Sequence, residues 1–199
     1  MKIEKTLAQN DSILGSIIAQ IPEPELLCTN DVFHDLMSCI VEQQIHYRST
    51  KKIFAKAMER ASIEHLIPEN FYLFEKQALS QLKLSASKIE CINSFIDYWT
   101  YNNKDFNLLS DDEVISELSS IKGIGKWTID MILLYTLKRP NVFPVDDFHL
   151  KQIMVSLYHL DEKVTLKAQM LKISENWGQN KSLAVLYLLA YKEFVKKHK

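Results

Sequence analysis

Apolar side chains recur along this chain at intervals of three and four, the spacing that places them on one face of an α-helix. Between Asp31 and Arg60, the positions Phe33, Leu36, Met37, Ile40 and Val41 form such a stripe, with Thr29 and Asn30 available as N-caps. Ile53, Phe54 and Ala57 continue it beyond a polar interruption from Glu42 to Ser49. Ile89, Ile92, Phe95, Ile96 and Trp99 repeat the pattern between Ser87 and Trp99. Ser110, followed three residues later by Glu113, is a capping box that opens a helix bearing Val114, Ile115 and Leu118. Further helices are expected over Lys126–Leu137, stopping before Pro140, and over Phe148–Tyr158, Lys163–Asn176 and Lys181–Lys197. Sustained alternation of period two is absent, so the pattern predicts an all-α fold.

Composition changes this picture little. The 199 residues are 47% hydrophobic and 25% charged, with only 4 glycines and 5 prolines, which suits a helical globular protein. No apolar run approaches the roughly 18 residues of a membrane span, and the opening MKIEKTLAQNDS has no apolar signal core. These features lead us to expect a cytoplasmic protein with no membrane partner. Cys28, Cys39 and Cys91 are odd in number and scattered, and read as reduced thiols rather than a metal or redox centre. The net charge of −1 does not advertise nucleic-acid binding. Phosphate contact depends on where cations sit rather than on their sum, so composition does not exclude it.

The most informative stretch is Leu118-Ser119-Ser120-Ile121-Lys122-Gly123-Ile124-Gly125-Lys126-Trp127-Thr128, which holds two of the four glycines. Glycine at both places permits positive φ and close approach of another backbone. Ile124 between them can turn inward as a plug. The helix that follows starts with outward amides and a positive dipole end, a seat for phosphate flanked by Lys122 and Lys126. A plain helix-helix turn closed by a glycine C-cap explains the same residues.

Beyond it comes Asn141-Val142-Phe143-Pro144-Val145-Asp146-Asp147-Phe148-His149-Leu150-Lys151-Gln152. One of the two acids can serve simply as the cap of the next helix. Two adjacent carboxylates repel if both are buried, so at most one is expected to sit deep.

Together, the hairpin and this segment resemble the helix-hairpin-helix (HhH-GPD) DNA glycosylase superfamily, with the AlkA-type 3-methyladenine DNA glycosylases as the nearest likeness. Three stretches carry it: Leu36–Ser49 with its Glu-Gln-Gln, the hairpin through Thr128, and Phe143–Gln152, followed by a weaker match at Trp177–Leu189. The resemblance implies a single glycosylase domain over residues 1–199, in two lobes of about 31–138 and 1–30 plus 139–199, with an active-site cleft between them. It makes Asp147 the catalytic residue and leaves Asp146 as the expected cap, although the two roles can be exchanged.

The implied activity is monofunctional hydrolysis of the N-glycosidic bond of alkylated purines in double-stranded DNA, with 3-methyladenine as the first candidate lesion and 7-methylguanine as the second. The enzyme is expected to act as a monomer, associated with the nucleoid if the source is bacterial. Excision of oxidised or deaminated bases and a non-catalytic DNA-binding module are the alternatives. By the same resemblance, Trp127, Met131, Gln43 and Leu189 would line the base pocket. DNA would be held by Gln44, the wedge, with His46, Arg48, Lys122, Gly123, Gly125, Lys126 and Thr128. Asp130, on the same turn as Trp127, fits either the pocket or solvent. Bifunctional relatives carry a Schiff-base lysine where this chain has Trp127, so no strand-cleaving lyase activity is expected. Three scattered cysteines cannot supply an iron-sulfur cluster. No metal or cofactor is expected, apart from a monovalent cation on main-chain carbonyls of the hairpin. The chain departs from the family at Lys122, where proline is usual, at Gln179-Asn180-Lys181, and at Met131 and Leu189, where the best-studied branch has aromatic residues.

Overall fold

The computed structural model describes residues 2–26, 29–42, 47–102, 104–161 and 163–198, and the side chains of 47–52 fall outside that description. Every regular element among the described residues is helical. Two compact units result: Cys28–Leu137, and Met1–Leu27 joined with Lys138–Lys199.

The first unit begins with α3 (Val32–Glu42), whose stripe of Phe33, Leu36, Met37, Ile40 and Val41 is wholly buried. Its cap is neither Thr29 nor Asn30. Asp31 Oδ1 accepts from the His34 amide at 3.0 Å, and Thr29 Oγ instead accepts from the Asp31 amide at 3.2 Å. Asn30 spends its position on a left-handed turn, with φ at 58°. Helix α4 (Tyr47–Ala61) buries Phe54, Ala57 and Met58, and α5 (Phe71–Gln77) adds Phe71 and Phe74.

Helix α6 (Ala86–Tyr101) buries Cys91, Ile92 and Phe95, whereas Ile89 lies at the exposed edge of its predicted stripe. Phe33, Phe95, Trp99 and Phe106 form an aromatic chain with successive centroids 4.9, 5.0 and 5.4 Å apart. Such rings contribute attraction beyond their buried area. The capping box forms as expected at the head of α7 (Asp111–Ser119): the Glu113 amide donates to Ser110 Oγ at 3.3 Å, and the Ser110 amide to Glu113 Oε2 at 2.8 Å. Helix α8 (Lys126–Met131) widens into a π-helical turn over Ile132–Thr136, closed by the Leu137 amide on the Ile132 carbonyl at 2.9 Å. Thr136 in that turn donates to Asp35 Oδ2 at 2.8 Å, tying it to the start of α3.

The second unit packs α1 (Lys2–Asn10) and α2 (Ser12–Ile18) with α9 (Phe148–Tyr158), α10 (Leu166–Ser174) and α11 (Lys181–Lys197). The bounds of α9 and α11 agree with those read from periodicity. Helix α10 starts later than predicted and ends in a 3-10 turn over Glu175–Trp177.

Asp11 holds this unit together. Only 7% exposed, it caps α2 through Oδ1, accepting from Ile13 and Leu14 amides at 3.1 and 3.0 Å. Its Oδ2 accepts from Tyr158 Oη at 2.7 Å and Trp177 Nε1 at 2.9 Å. Burial, with the bond to this carboxylate, pushes the Tyr158 phenol well above its ordinary range. Asp11→Ala removes a cap and strands two buried donors, so a loss of about 3 kcal/mol is expected in a denaturant melt. A loss below about 1 kcal/mol would show that water replaces the carboxylate at no great cost.

Candidate functional site

In the first unit, the hairpin between α7 and α8 is built from short backbone bonds. The Ile121 amide donates to the Leu118 carbonyl at 3.3 Å, and the Ile124 amide to the Ile121 carbonyl at 3.1 Å. Ile121 and Ile124 are both buried, so the plug forms. The two glycines, however, answer different requirements. Gly123 has φ at 92°, and a Cβ there would lie 2.7 Å from Cys91 Cβ and 2.8 Å from its Sγ. Gly125 has φ at −99°, caps α8 in an extended conformation, and would carry a Cβ into open space. Positive φ is thus needed at Gly123 alone. What a side chain at Gly125 would obstruct is approach from outside, not the fold.

The lysines flanking the hairpin are engaged with acids. Lys122 pairs with Glu90 on α6 at 2.5 Å, and Lys126 makes a forked contact with Asp130 at 2.7 and 2.8 Å. The Lys122–Glu90 pair is exposed on both sides, so it is worth little and exchanges readily for a phosphate partner. Asp130 is itself only 5% exposed, so the solvated alternative for it is excluded. Thr128 lies on the inward face of α8. Its side chain is 1% exposed, packed inward by helix phase, which leaves only its main chain for an external partner. Trp127 is half-buried, and Met131 is buried within the same unit. Gln43, Gln44 and His46 lie outside the described residues, as does the side chain of Arg48.

Asp147 is placed by the second unit. The preceding segment is stapled to α11 by Ser182, whose Oγ donates to the Arg139 carbonyl at 2.5 Å and accepts from the Val142 amide at 2.9 Å. Buried Val142 and Val145 anchor the run, and the Asp147 amide closes a turn on the Pro144 carbonyl at 2.9 Å. Asp147 Oδ1 then accepts from the Leu150 amide at 2.7 Å, capping α9. The expected division of labour between the two acids is therefore reversed at the cap. The helix starts at Phe148, and only the residue immediately before it can reach the third amide. Asp147 is 7% exposed, whereas Asp146 is exposed and sits 3.4 Å from Lys167 and 3.9 Å from Lys151. One carboxylate is deep and one is solvated, as repulsion requires.

Two neighbours of Asp147 escaped the sequence reading. Phe148 is 59% exposed, and the signal was its position off the stripe of Leu150, Ile153 and Met154. Lys192 on α11 sits with its ammonium 5.8 Å from the Phe148 ring centroid, 44 positions further along the chain, where no local pattern points to it. Leu189, on the same helix, is half-buried. Among the described residues, no group of three or more His, Cys, Asp or Glu side chains could hold a metal ion. Burial pushes the Cys91 thiol above its ordinary range, which keeps it protonated and unreactive. No helix among the described residues is long and apolar enough to cross a membrane.

The profile of the HhH-GPD superfamily of base excision DNA repair proteins matches residues 37–179. Bacillus subtilis YfjP, whose name assigns it provisionally to the DNA-3-methyladenine glycosylases, is 28% identical over 184 residues, 88% of this chain and 64% of its own. DNA-3-methyladenine glycosylase 1 of Schizosaccharomyces pombe is 28% identical over 161 residues, 78% of this chain and 70% of its own. This chain thus spans less than two thirds of the length of the first relative and somewhat more of the second. Among solved structures, a DNA-3-methyladenine glycosidase from Bacillus halodurans superposes with a TM-score of 0.80 at 28% identity, covering 99% of this chain and 92% of that one.

Proposed function

This chain belongs to the HhH-GPD superfamily of base excision DNA repair proteins, and from that membership we propose that it is a monofunctional DNA N-glycosylase that removes alkylated purines. The observation that carries this reading is Asp147, a nearly buried carboxylate held by a cap bond at the head of α9. An alkylated purine such as 3-methyladenine is cationic and leaves without prior protonation, so the sugar develops oxocarbenium character. A fixed carboxylate stabilises that charge and orients the attacking water. This is half of the two-carboxylate arrangement of glycosidases, with the lesion's own charge replacing the acid. The names of both curated relatives support the choice of lesion.

The hairpin would hold the phosphate backbone of double-stranded DNA through main-chain amides at Gly125 and the start of α8, with Lys122 released from Glu90 and Lys126 adding its charge while still anchored on Asp130. A monovalent cation on the hairpin carbonyls would serve the same contact. Gln44 and His46 would enter the minor groove, Arg48 would meet phosphate, and Gln43, Trp127, Met131 and Leu189 would frame the base. We place the enzyme in the cytoplasm as a monomer, on the nucleoid if the source is a bacterium.

Incubation with methylated duplex DNA, followed by chromatography of the released bases, tests the reading. Free 3-methyladenine is the expected product. Normal DNA binding with no released base would leave only a non-catalytic clamp. Borohydride is expected to trap no covalent complex, because Trp127 stands where a Schiff-base lysine would be needed. A trapped adduct would overturn monofunctional hydrolysis.

A further inference from the structure

Lys122 and Lys126 each meet an acid, but the two acids differ. Glu90 and Lys122 both have more than half of their side chains exposed, so either can turn into solvent. The Lys126 side chain is likewise exposed, whereas the Asp130 carboxylate it grips through two contacts, at 2.7 and 2.8 Å, is buried. Taking the cation away from a buried carboxylate costs far more than breaking an exposed pair. The Lys126 ammonium therefore stays on Asp130 when an outside anion approaches. The acid also follows the base by four positions, the weaker order along a helix, so ordinary helix-surface pairing does not account for it. Lys126 opens α8 directly after Gly125, where an added Cβ meets nothing within 4 Å. The pair thus adjoins the part of the hairpin that is open to an outside partner.

We propose that Asp130 sets the strength of the hairpin's hold on undamaged DNA, by offsetting the charge that Lys126 brings to the phosphate backbone. The inference rests on the reading of the hairpin as a backbone clamp. A phosphate met by an ammonium that keeps its own carboxylate gains only part of the attraction of a free cation. That attraction carries no information about sequence or lesion, and at full strength it would lengthen every stay on undamaged duplex. Main-chain amides then position the strand, and Lys122 supplies the cation that can be exchanged.

The test is the affinity for undamaged duplex DNA across a salt series, measured on Asp130→Asn, Glu90→Gln and Gly125→Ala proteins. Asparagine keeps an acceptor for Lys126 and loses the charge. Asp130→Asn is expected to bind about threefold to tenfold more tightly near 0.1 M salt, and to steepen the slope of log K against log salt by about 0.5 to 1. A merely structural role would not give tighter, more salt-dependent binding. Glu90→Gln removes the same formal charge from an exchangeable pair and is expected to leave the slope where it is. Equal steepening there reduces the effect to net charge and overturns the role of Asp130. Should Asp130→Asn fail to fold, the double variant Lys126→Met, Asp130→Asn replaces the whole pair with neutral groups. Its slope is expected to flatten by less than about 0.5, and a larger loss shows Lys126 acting at full charge and overturns the proposal. A folded Asp130→Asn protein that binds no more tightly, beside a weakened Gly125→Ala, overturns the role of Asp130 alone. A Gly125→Ala protein that binds as the parent does overturns the reading of the hairpin itself, and the proposal for Asp130 with it.

Discussion

An Asp147→Asn protein is expected to fold as the parent does, bind DNA containing an abasic-site analogue as the parent does, and excise bases about a thousandfold more slowly. Asparagine caps helices as well as aspartate, so the bond from the Leu150 amide is retained and the head of α9 stays in place. What disappears is the negative charge, which a neutral amide cannot replace opposite a developing oxocarbenium ion. Asp147→Ala would confound the comparison, because loss of the cap alone costs about 1 kcal/mol of stability. Three measurements on the asparagine protein decide the matter: a thermal melt, an affinity for the abasic analogue, and a single-turnover excision rate. Undiminished excision sinks the catalytic assignment. Loss of excision with an equal loss of stability shows that Asp147 serves only as a cap.

The hairpin glycines are expected to separate stability from binding. Gly123→Ala forces a side chain into φ near 92° and against Cys91 at 2.7 Å, and both strains act on a buried helix contact. A loss of about 3 kcal/mol or more in a denaturant melt follows. Gly125→Ala meets nothing within 4 Å and adopts an ordinary φ of −99°. Its stability should lie within about 1 kcal/mol of the parent, since the gain from restricting the unfolded chain offsets much of the cost of alanine as a poorer N-cap. The new methyl would nevertheless stand where a phosphate approaches the first amides of α8, and affinity for undamaged duplex DNA is expected to fall about tenfold. Equal affinity of Gly125→Ala and the parent would remove the hairpin from the DNA contact.

Local pattern carried much of the helical architecture. The bounds of α9 and α11 follow from apolar spacing, and the Ser110 box announces α7 because both partners lie three residues apart. Helices α1 and α2 went unread, for their burial depends on residues far along the chain. Asp11 looks like any polar residue until Tyr158 and Trp177 arrive beside it. The same limit applies around Asp147. An aspartate pair before a helix is visible in sequence, but which of the two caps is decided by where the first helical turn begins, a one-residue difference. Lys192 carries no local mark at all: its contact with His149 spans 43 positions. Glycine at 123 and 125 reads identically in sequence, although only the first is demanded by the fold. The resemblance puts Thr128 among the DNA contacts, and helix phase turns its side chain inward, which leaves its main chain for that role.

Asp11 has a further consequence when the chain is followed in the order of its synthesis. Its partners Tyr158 and Trp177 emerge 147 and 166 residues after it. At about 5 to 20 residues per second, the first two helices wait roughly 10 to 30 seconds for the groups that satisfy this carboxylate. During that wait, every element of the 28–137 unit has already been delivered and can close on its own core. Helices α1 and α2 are thus made before the 28–137 unit and secured after it. The apolar face of Leu7, Leu14 and Ile17 is a surface for a nascent-chain chaperone to hold through that interval.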